Sequence, residues 1–127
     1  MRLTIYGIVL ILGILFTGCT GVIKNGIAEK NRDTLMLLEV GMTKQEVLKK
    51  FGKSNSSEFR NPFKREVKSL SNGSVQEALF FITDVIPDGK NTDEELTPVM
   101  LIDNKVVGWG WSFYRESDNN INVNIHN

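Results

Sequence analysis

The side chains of this chain best suited to thiol or imidazole chemistry and to zinc binding are those of the single cysteine, Cys19, and the single histidine, His126. A catalytic triad or a zinc site usually needs an imidazole held rigidly beside its partners. His126, however, is the penultimate residue of a polar, asparagine-rich tail. Cys19 has no second cysteine with which to form an intramolecular disulfide. These residue types predict a protein that is not an enzyme and binds no cofactor or metal, and they leave the Cys19 thiol to be explained.

Cys19 directly follows a segment typical of a secretory signal. Arg2 and the start amine precede an unbroken apolar run over residues 5–16, which is shorter than the roughly 20 residues of a membrane-spanning helix. The end of this segment, Phe16-Thr17-Gly18-Cys19, resembles the lipobox of bacterial lipoprotein precursors. The resemblance implies that residues 1–18 are removed and that fatty acid is attached at Cys19.

Lipid on Cys19 would hold the protein on a membrane without help from the folded part, since two or more acyl chains anchor a protein stably. Thr20, rather than aspartate, follows the cysteine. Under enterobacterial sorting rules this indicates the outer membrane, with the protein facing the periplasm. Two other interpretations remain open: a free thiol after ordinary signal cleavage, and an uncleaved N-terminal membrane anchor.

The residues after the signal suit one domain with one core. Over the whole chain 15 basic side chains balance 15 acidic ones, so nothing favours binding to nucleic acid, which normally requires a strongly basic face. We predict a lipidated flexible tether over residues 19–31, a single α+β domain over residues 32–115 and a polar tail over residues 116–127.

The best-specified local structure is a short helix between Val40 and Gly52. Thr43 and Glu46 have the spacing of a capping box, and Met42 and Val47 have that of a hydrophobic staple. Gly52 is placed to end the helix. Upstream, a short apolar pattern predicts a first helix between residues 32 and 39, formed by Leu35, Met36 and Leu38.

After Gly52 the pattern changes from helical periodicity to alternation and turns. Residues 75–85, 97–103 and 105–114 are predicted strands, and residues 54–61 and 64–70 are weaker candidates. Asn72-Gly73 and Asp103-Asn104 mark turns. This order predicts an α+β fold, with two short N-terminal helices packed on one face of a three- or four-stranded antiparallel meander.

The segment from Val40 to Val47, followed by Phe51-Gly52, resembles the G-M-T-x-x-x-V signature of the SmpA/OmlA (BamE-like) family of small outer-membrane lipoproteins. The matching residues are Gly41, Met42, Thr43, Val47 and Gly52. The resemblance implies a non-catalytic role in outer-membrane protein assembly or envelope maintenance, with another envelope protein as partner. The same order of elements also resembles the repeat of secreted β-lactamase-inhibitor proteins, so the alternative is a periplasmic or secreted binder that inhibits an enzyme.

A partner surface can be predicted from the last strand. Alternation over residues 107–113 places Trp109, Trp111 and Phe113 on one face, with Gly108 and Gly110 on the other. We expect the tryptophans to form the core under the helices and the glycines to leave a shallow groove on an open face. Because exposed apolar patches usually mark interaction sites, the candidate partner surface comprises Phe80, Ile82, Met100, Ile102 and Tyr114.

Two charged segments admit a functional and a simpler interpretation. The acidic residues between Asp84 and Glu95 lack the alternating spacing of a calcium loop, which favours a solvated loop. The basic residues Arg60, Lys64, Arg65 and Lys68 could contact acidic lipid head groups or an acidic partner. A strand edge protected by charge is the favoured interpretation.

Overall fold

A computed structural model describes residues 21–123, in which four antiparallel strands form one sheet of order β1-β2-β3-β4. Three helices accompany the sheet, and the α+β class and the antiparallel meander are confirmed. Cys19 and His126 lie outside the described residues. The elements are α1 (residues 21–35), α2 (Lys44–Phe51), β1 (Lys64–Ser69), β2 (Val75–Ile82), a 3-10 turn (Asp93–Glu95), β3 (Leu96–Ile102), β4 (Lys105–Trp109) and α3 (Trp111–Val123).

Helix α2 has the predicted capping box. The Thr43 hydroxyl accepts a hydrogen bond from the Glu46 amide at 3.2 Å, and the Glu46 carboxylate accepts one from the Thr43 amide at 2.8 Å. Gly52 ends the helix at φ +70°, with its amide donating to the Leu48 carbonyl at 3.0 Å. Val47 is buried, so the helix is fixed at both termini and along one face.

Both predicted hairpin turns are confirmed. Asp103 and Asn104 have φ values of 48° and 65°, the left-handed conformation that both central residues of a tight hairpin turn adopt. Gly73 adopts φ +85° between β1 and β2. Residues 54–61, in contrast, form no strand. The Ser54 and Ser56 hydroxyls accept hydrogen bonds from nearby backbone amides, and such local bonds compete with strand pairing.

The N-terminal prediction was wrong, because residues 21–35 form one helix where a tether and a later, shorter helix were expected. Its inward side chains recur at helical spacing and are buried. Most of them are polar, so hydrophobic periodicity gives no signal there. They are Lys24, Ala28, Asn31 and Thr34.

The C-terminal strand prediction was also wrong beyond Trp109. Gly110 has φ +94°, and α3 begins at the next residue, with the Tyr114 amide donating to the Gly110 carbonyl at 3.0 Å. Part of the predicted polar tail therefore lies in a helix that extends to Val123. Because glycine reaches positive φ without steric cost, Gly110 is the point at which the chain leaves the sheet.

Helices cover both faces of the sheet, which corrects the expectation of one covered face. On one face the ring of Phe51 in α2 stacks on Phe81 with centroids 3.6 Å apart. On the other face, Trp111 of α3 packs against Phe80 with ring centroids 5.7 Å apart. The Trp111 indole N–H donates a hydrogen bond to the Leu96 carbonyl at 2.7 Å. Trp109 belongs to the α2 side and Trp111 to the α3 side, so the two indoles do not form one stripe.

Gly108 sits directly under α3 and generates a first prediction. A Cβ atom at this position would lie 2.6 Å from the ring of the half-buried Phe113, so the ring would have to move from its packing against the core. Gly108→Ala should therefore destabilise the protein by about 1–3 kcal/mol, as measured by urea unfolding.

Gly26 provides the matched control, since it is helical and a Cβ there meets nothing within 4 Å. Gly26→Ala should stabilise the protein by about 0.5–1 kcal/mol, because alanine restricts the unfolded chain more than glycine does. Equal stabilities of the two variants would contradict the close packing of Phe113 on Gly108.

Candidate interaction surface

The partner surface predicted from the sequence is mostly core. Phe80, Ile82 and Met100 are buried beneath α3, and Ile102 is half-buried. Tyr114 is half-buried and donates its hydroxyl to Glu66 at 2.7 Å. This hydrogen bond to a carboxylate, together with burial, raises the pKa of Tyr114 to about 12. The expected glycine groove is absent as well, because the Phe113 ring lies over Gly108.

Large apolar side chains are instead exposed at the two ends of α1. The N-terminal pair consists of Val22 and Ile23, which are 72% and 48% exposed. The corner group, between α1 and α2, consists of Met36, Leu37 and Val40, which are 85%, 61% and 70% exposed. At 1.5 Å per helical residue, about 20 Å along the helix axis separates the two.

The backbone of the Gly41-Met42-Thr43 motif holds the corner group in place. Gly41 adopts φ +92° and donates its amide to the Val106 carbonyl at 2.8 Å, while the Val106 amide donates to the Met42 carbonyl at 2.8 Å. Lys44 adds a further bond to Asn104 at 2.9 Å. The motif thus forms an isolated antiparallel bridge to β4, between Thr43 and Lys105, and it supports the exposed side chains that precede it.

A buried ion pair holds the first turns of α1 against the domain. The Lys24 ammonium lies 2.6 Å from the Glu95 carboxylate, with side-chain exposures of 8% and 1%. The same carboxylate accepts hydrogen bonds from the amides of Ile86 at 2.8 Å and Thr92 at 2.9 Å. Glu95 therefore joins α1 to the acidic loop and orders that loop at the same time.

The ionisation of Glu95 reflects these contacts. Burial by itself would raise the pKa of the carboxyl, but the hydrogen bonds from Lys24, Ile86 and Thr92 outweigh it and hold the pKa below its ordinary value. The acidic loop thus uses its buried carboxylate to bind Lys24. Within residues 21–123, no group of three or more His, Cys, Asp or Glu side chains is arranged to hold a metal ion.

A pair of asparagines fixes the middle of α1. Asn31 and Asn61 exchange amide hydrogen bonds at 2.9 and 3.0 Å, and Asn31 also donates to the Ile82 carbonyl at 2.8 Å. Asn61 donates to the Gly52 carbonyl at 3.1 Å, so α1, α2 and β2 meet here. Beside this junction lies an open cleft of about 570 Å³ between α1 and the segment after α2, lined in part by Ile23, Ile27, Lys30 and Lys53.

The basic segment of β1 is engaged within the protein. Lys64 lies 2.8 Å from Asp93, and the Arg65 guanidinium lies 2.6 Å from Glu77. Lys68 pairs with Asp118 of α3. These contacts favour the interpretation of a strand edge protected by charge over a site for acidic partners.

Sequence reasoning missed every contact that positions α1. The available signal was the recurrence of Lys24, Asn31 and Thr34 at helical spacing, read as a polar buried face instead of a solvated one. A buried polar face needs partners, and Glu95 and Asn61 are distant in sequence, so the face could not be recognised locally.

Taken together, the described residues define a small α+β domain whose four-stranded antiparallel sheet is covered on both faces and whose first helix exposes apolar side chains at each end. The chain belongs to the family described as protein of unknown function (DUF3192), whose model matches residues 24–116. No curated protein and no solved structure matches it significantly. None of the helices between residues 21 and 123 has the length and apolar character needed to cross a bilayer.

Replacing Glu95 tests the attachment of α1. Glu95→Gln preserves the shape but leaves the Lys24 ammonium buried without a counter-charge, which should destabilise the protein by about 3–5 kcal/mol near neutral pH. A carboxyl whose pKa is lowered by folding stabilises the protein above its unfolded pKa, and the stabilisation disappears as the pH falls through the folded value. The difference between wild type and variant should therefore narrow below pH 4.5, the ordinary value for Glu95.

The control is Asp93→Asn, in the same turn, because the Asp93 side chain is 64% exposed in its pair with Lys64. Exposed ion pairs contribute about 0–1 kcal/mol, so this variant should unfold almost as the wild type does. Urea unfolding between pH 3 and pH 7 measures both. A pH-independent difference for Glu95→Gln would refute the role of the Glu95 charge.

Proposed function

We propose that this protein is a lipid-anchored, non-catalytic interaction module of the bacterial envelope that binds another envelope protein through the corner group. The single observation that carries the proposal is the exposure of Met36, Leu37 and Val40 within five consecutive residues. The resemblance of the Gly41-Met42-Thr43 region to the SmpA/OmlA family supports a role in outer-membrane protein assembly or envelope maintenance.

The corner group has the properties of a protein-binding site. Soluble domains rarely leave large apolar side chains clustered in water unless a partner covers them. The unbranched, polarisable Met36 side chain adapts readily to a partner surface. The backbone bonds of Gly41 and Met42 to Val106 keep the corner rigid, so little conformational entropy is lost when a partner binds.

The lipid anchor is proposed from the residues before the described domain. An apolar segment precedes Phe16-Thr17-Gly18-Cys19, and Cys19 is the single cysteine of the chain. Acylation would give the Cys19 thiol a function, whereas a chain with one cysteine cannot form an intramolecular disulfide. Thr20 after the cysteine supports delivery to the outer membrane, on the periplasmic side, with residues 1–18 removed as the signal peptide.

Acylation is tested by Cys19→Ser in cells supplied with a labelled fatty acid. The serine variant should incorporate no label and should keep residues 1–18, because thioether formation on the cysteine precedes cleavage in lipoprotein processing. Thr20→Ser, which preserves Cys19, is the matched control and should be labelled normally. Equal labelling of the Cys19→Ser variant and the wild type would rule out the anchor.

Partner binding is tested by replacing the corner group together, as Met36→Ser/Leu37→Ser/Val40→Ser. Burying one large apolar side chain contributes roughly 1.5–3 kcal/mol, and about 1.4 kcal/mol corresponds to a tenfold change in affinity. A pull-down from detergent-solubilised membranes should therefore recover at least about tenfold less partner with the triple variant. We expect the wild type to recover components of the barrel-assembly machinery.

The control is Val67→Ser/Val75→Ser, which alters exposed valines of β1 and β2 that do not belong to the corner group and should bind as the wild type does. Thermal melting of both variants checks that the domain remains folded. Recovery of a soluble enzyme instead of envelope components would favour the inhibitor alternative. Undiminished recovery by the triple variant would show that the partner binds elsewhere.

A further inference from the structure

From the geometry of α1 we infer that the N-terminal pair, Val22 and Ile23, docks on the lipid bilayer, so that the domain is held directly against the membrane. The inference rests on the proposed lipid anchor at Cys19. It replaces most of the flexible tether expected over residues 19–31 with helix α1, which is described from residue 21 onwards. The occupant of this surface is the acyl-chain boundary of the membrane, not a protein.

Only a short length of chain separates the lipid on Cys19 from the N-terminal pair. A chain extends at most about 3.3–3.6 Å per residue, so the three residues from Cys19 to Val22 span no more than about 11 Å. Amphipathic segments at a membrane surface bury their apolar side chains roughly 5–10 Å into the boundary between head groups and acyl chains. Val22 is thus within reach of that boundary whatever path the intervening residues take.

The orientation of α1 turns Val22 away from the rest of the domain. Each helical residue turns by about 100°, so Val22 points away from Lys24, which faces Glu95 inside the domain. The helix is fixed again one turn and two turns later, by buried Ala28 and by Asn31. The first turn therefore holds Val22 away from the domain, 72% exposed, whereas Ile23, 48% exposed, lies at the edge of the cleft beside α1.

The covalent lipid proposed on Cys19 strengthens the contact of the N-terminal pair with the membrane. Two apolar side chains bind a membrane weakly when the protein is free in solution, but attachment nearby makes the contact intramolecular and raises its effective concentration. Once residues 1–18, and with them Arg2, are removed, 14 basic and 15 acidic side chains remain, and this near balance provides no general attraction to an anionic surface. Docking is therefore apolar in origin and independent of the anionic lipid content.

Docking at this end leaves the other end of α1 free. With the axis of α1 directed away from the bilayer, the corner group lies about 20 Å from the N-terminal pair, beyond the depth at which that pair contacts the lipid. Membrane and partner would then occupy opposite ends of one helix and would not compete.

The experiment places a fluorescent label at either end of α1 in the full acylated chain. Val22→Cys and Met36→Cys each introduce the single reactive thiol, because Cys19 carries lipid. Both positions are strongly exposed, so the label does not disturb the fold. Each protein is labelled with an environment-sensitive nitrobenzoxadiazole dye and reconstituted in phosphatidylcholine vesicles, with or without nitroxide-bearing lipid that quenches near the head groups.

The label at position 22 should shift its emission to the blue and lose most of it in the quencher vesicles, whereas the label at position 36 should keep its emission. Equal emission at both positions, quenched or unquenched, would overturn the docking. Mass spectrometry of the same samples distinguishes a failure of the lipid anchor at Cys19 from a failure of the docking. An acylated Cys19 with an unquenched label at position 22 overturns the docking alone, and an unmodified Cys19 overturns the anchor and the docking together.

Discussion

The position of α1 depends on one buried ion pair, between Lys24 and Glu95. A buried charge is tolerated only when it is paired and hydrogen-bonded, and here the Glu95 carboxylate satisfies both the Lys24 ammonium and two amides of its own loop. The helix that leads towards Cys19 is thereby joined to the sheet. Without this pair the first turns of α1 would lose their attachment, and the contacts of Asn31 with Asn61 and Ile82 would hold only the middle of the helix.

Most of the sheet and helix α2 could be predicted from the sequence because their determinants are local. The capping box needs only Thr43 and Glu46, and the turn at Asp103-Asn104 needs two residues that tolerate positive φ. The helix after Gly110 could not be predicted, because Trp111 and Phe113 fit the alternation of a strand as well as a helix. One glycine at φ +94° decides between the two, and nothing in the spacing of the neighbouring residues reveals it.

The candidate surface illustrates the same limit. Phe80 and Met100 were placed on an open face because only two helices were counted, and α3 covers that face. Met36 had been assigned to the apolar face of a helix predicted between residues 32 and 39. The helix that forms ends at residue 35, and Met36 is exposed. Burial is a property of the assembled elements, so an error in one element at the C-terminus moved the predicted surface to the wrong side of the molecule.

The wide separation along the chain between α1 and its partners has a consequence for the order of folding. Lys24 and Glu95 are 71 residues apart, and Asn31 and the Ile82 carbonyl are 51 apart, whereas each strand of the meander pairs with the next one in sequence. Because closing a long loop costs more entropy than closing a short one, we expect the hairpins to form before α1 docks. Helix α1, the first helix of the described residues, is therefore expected to reach its place last, after the strand that follows Glu95 has joined the sheet.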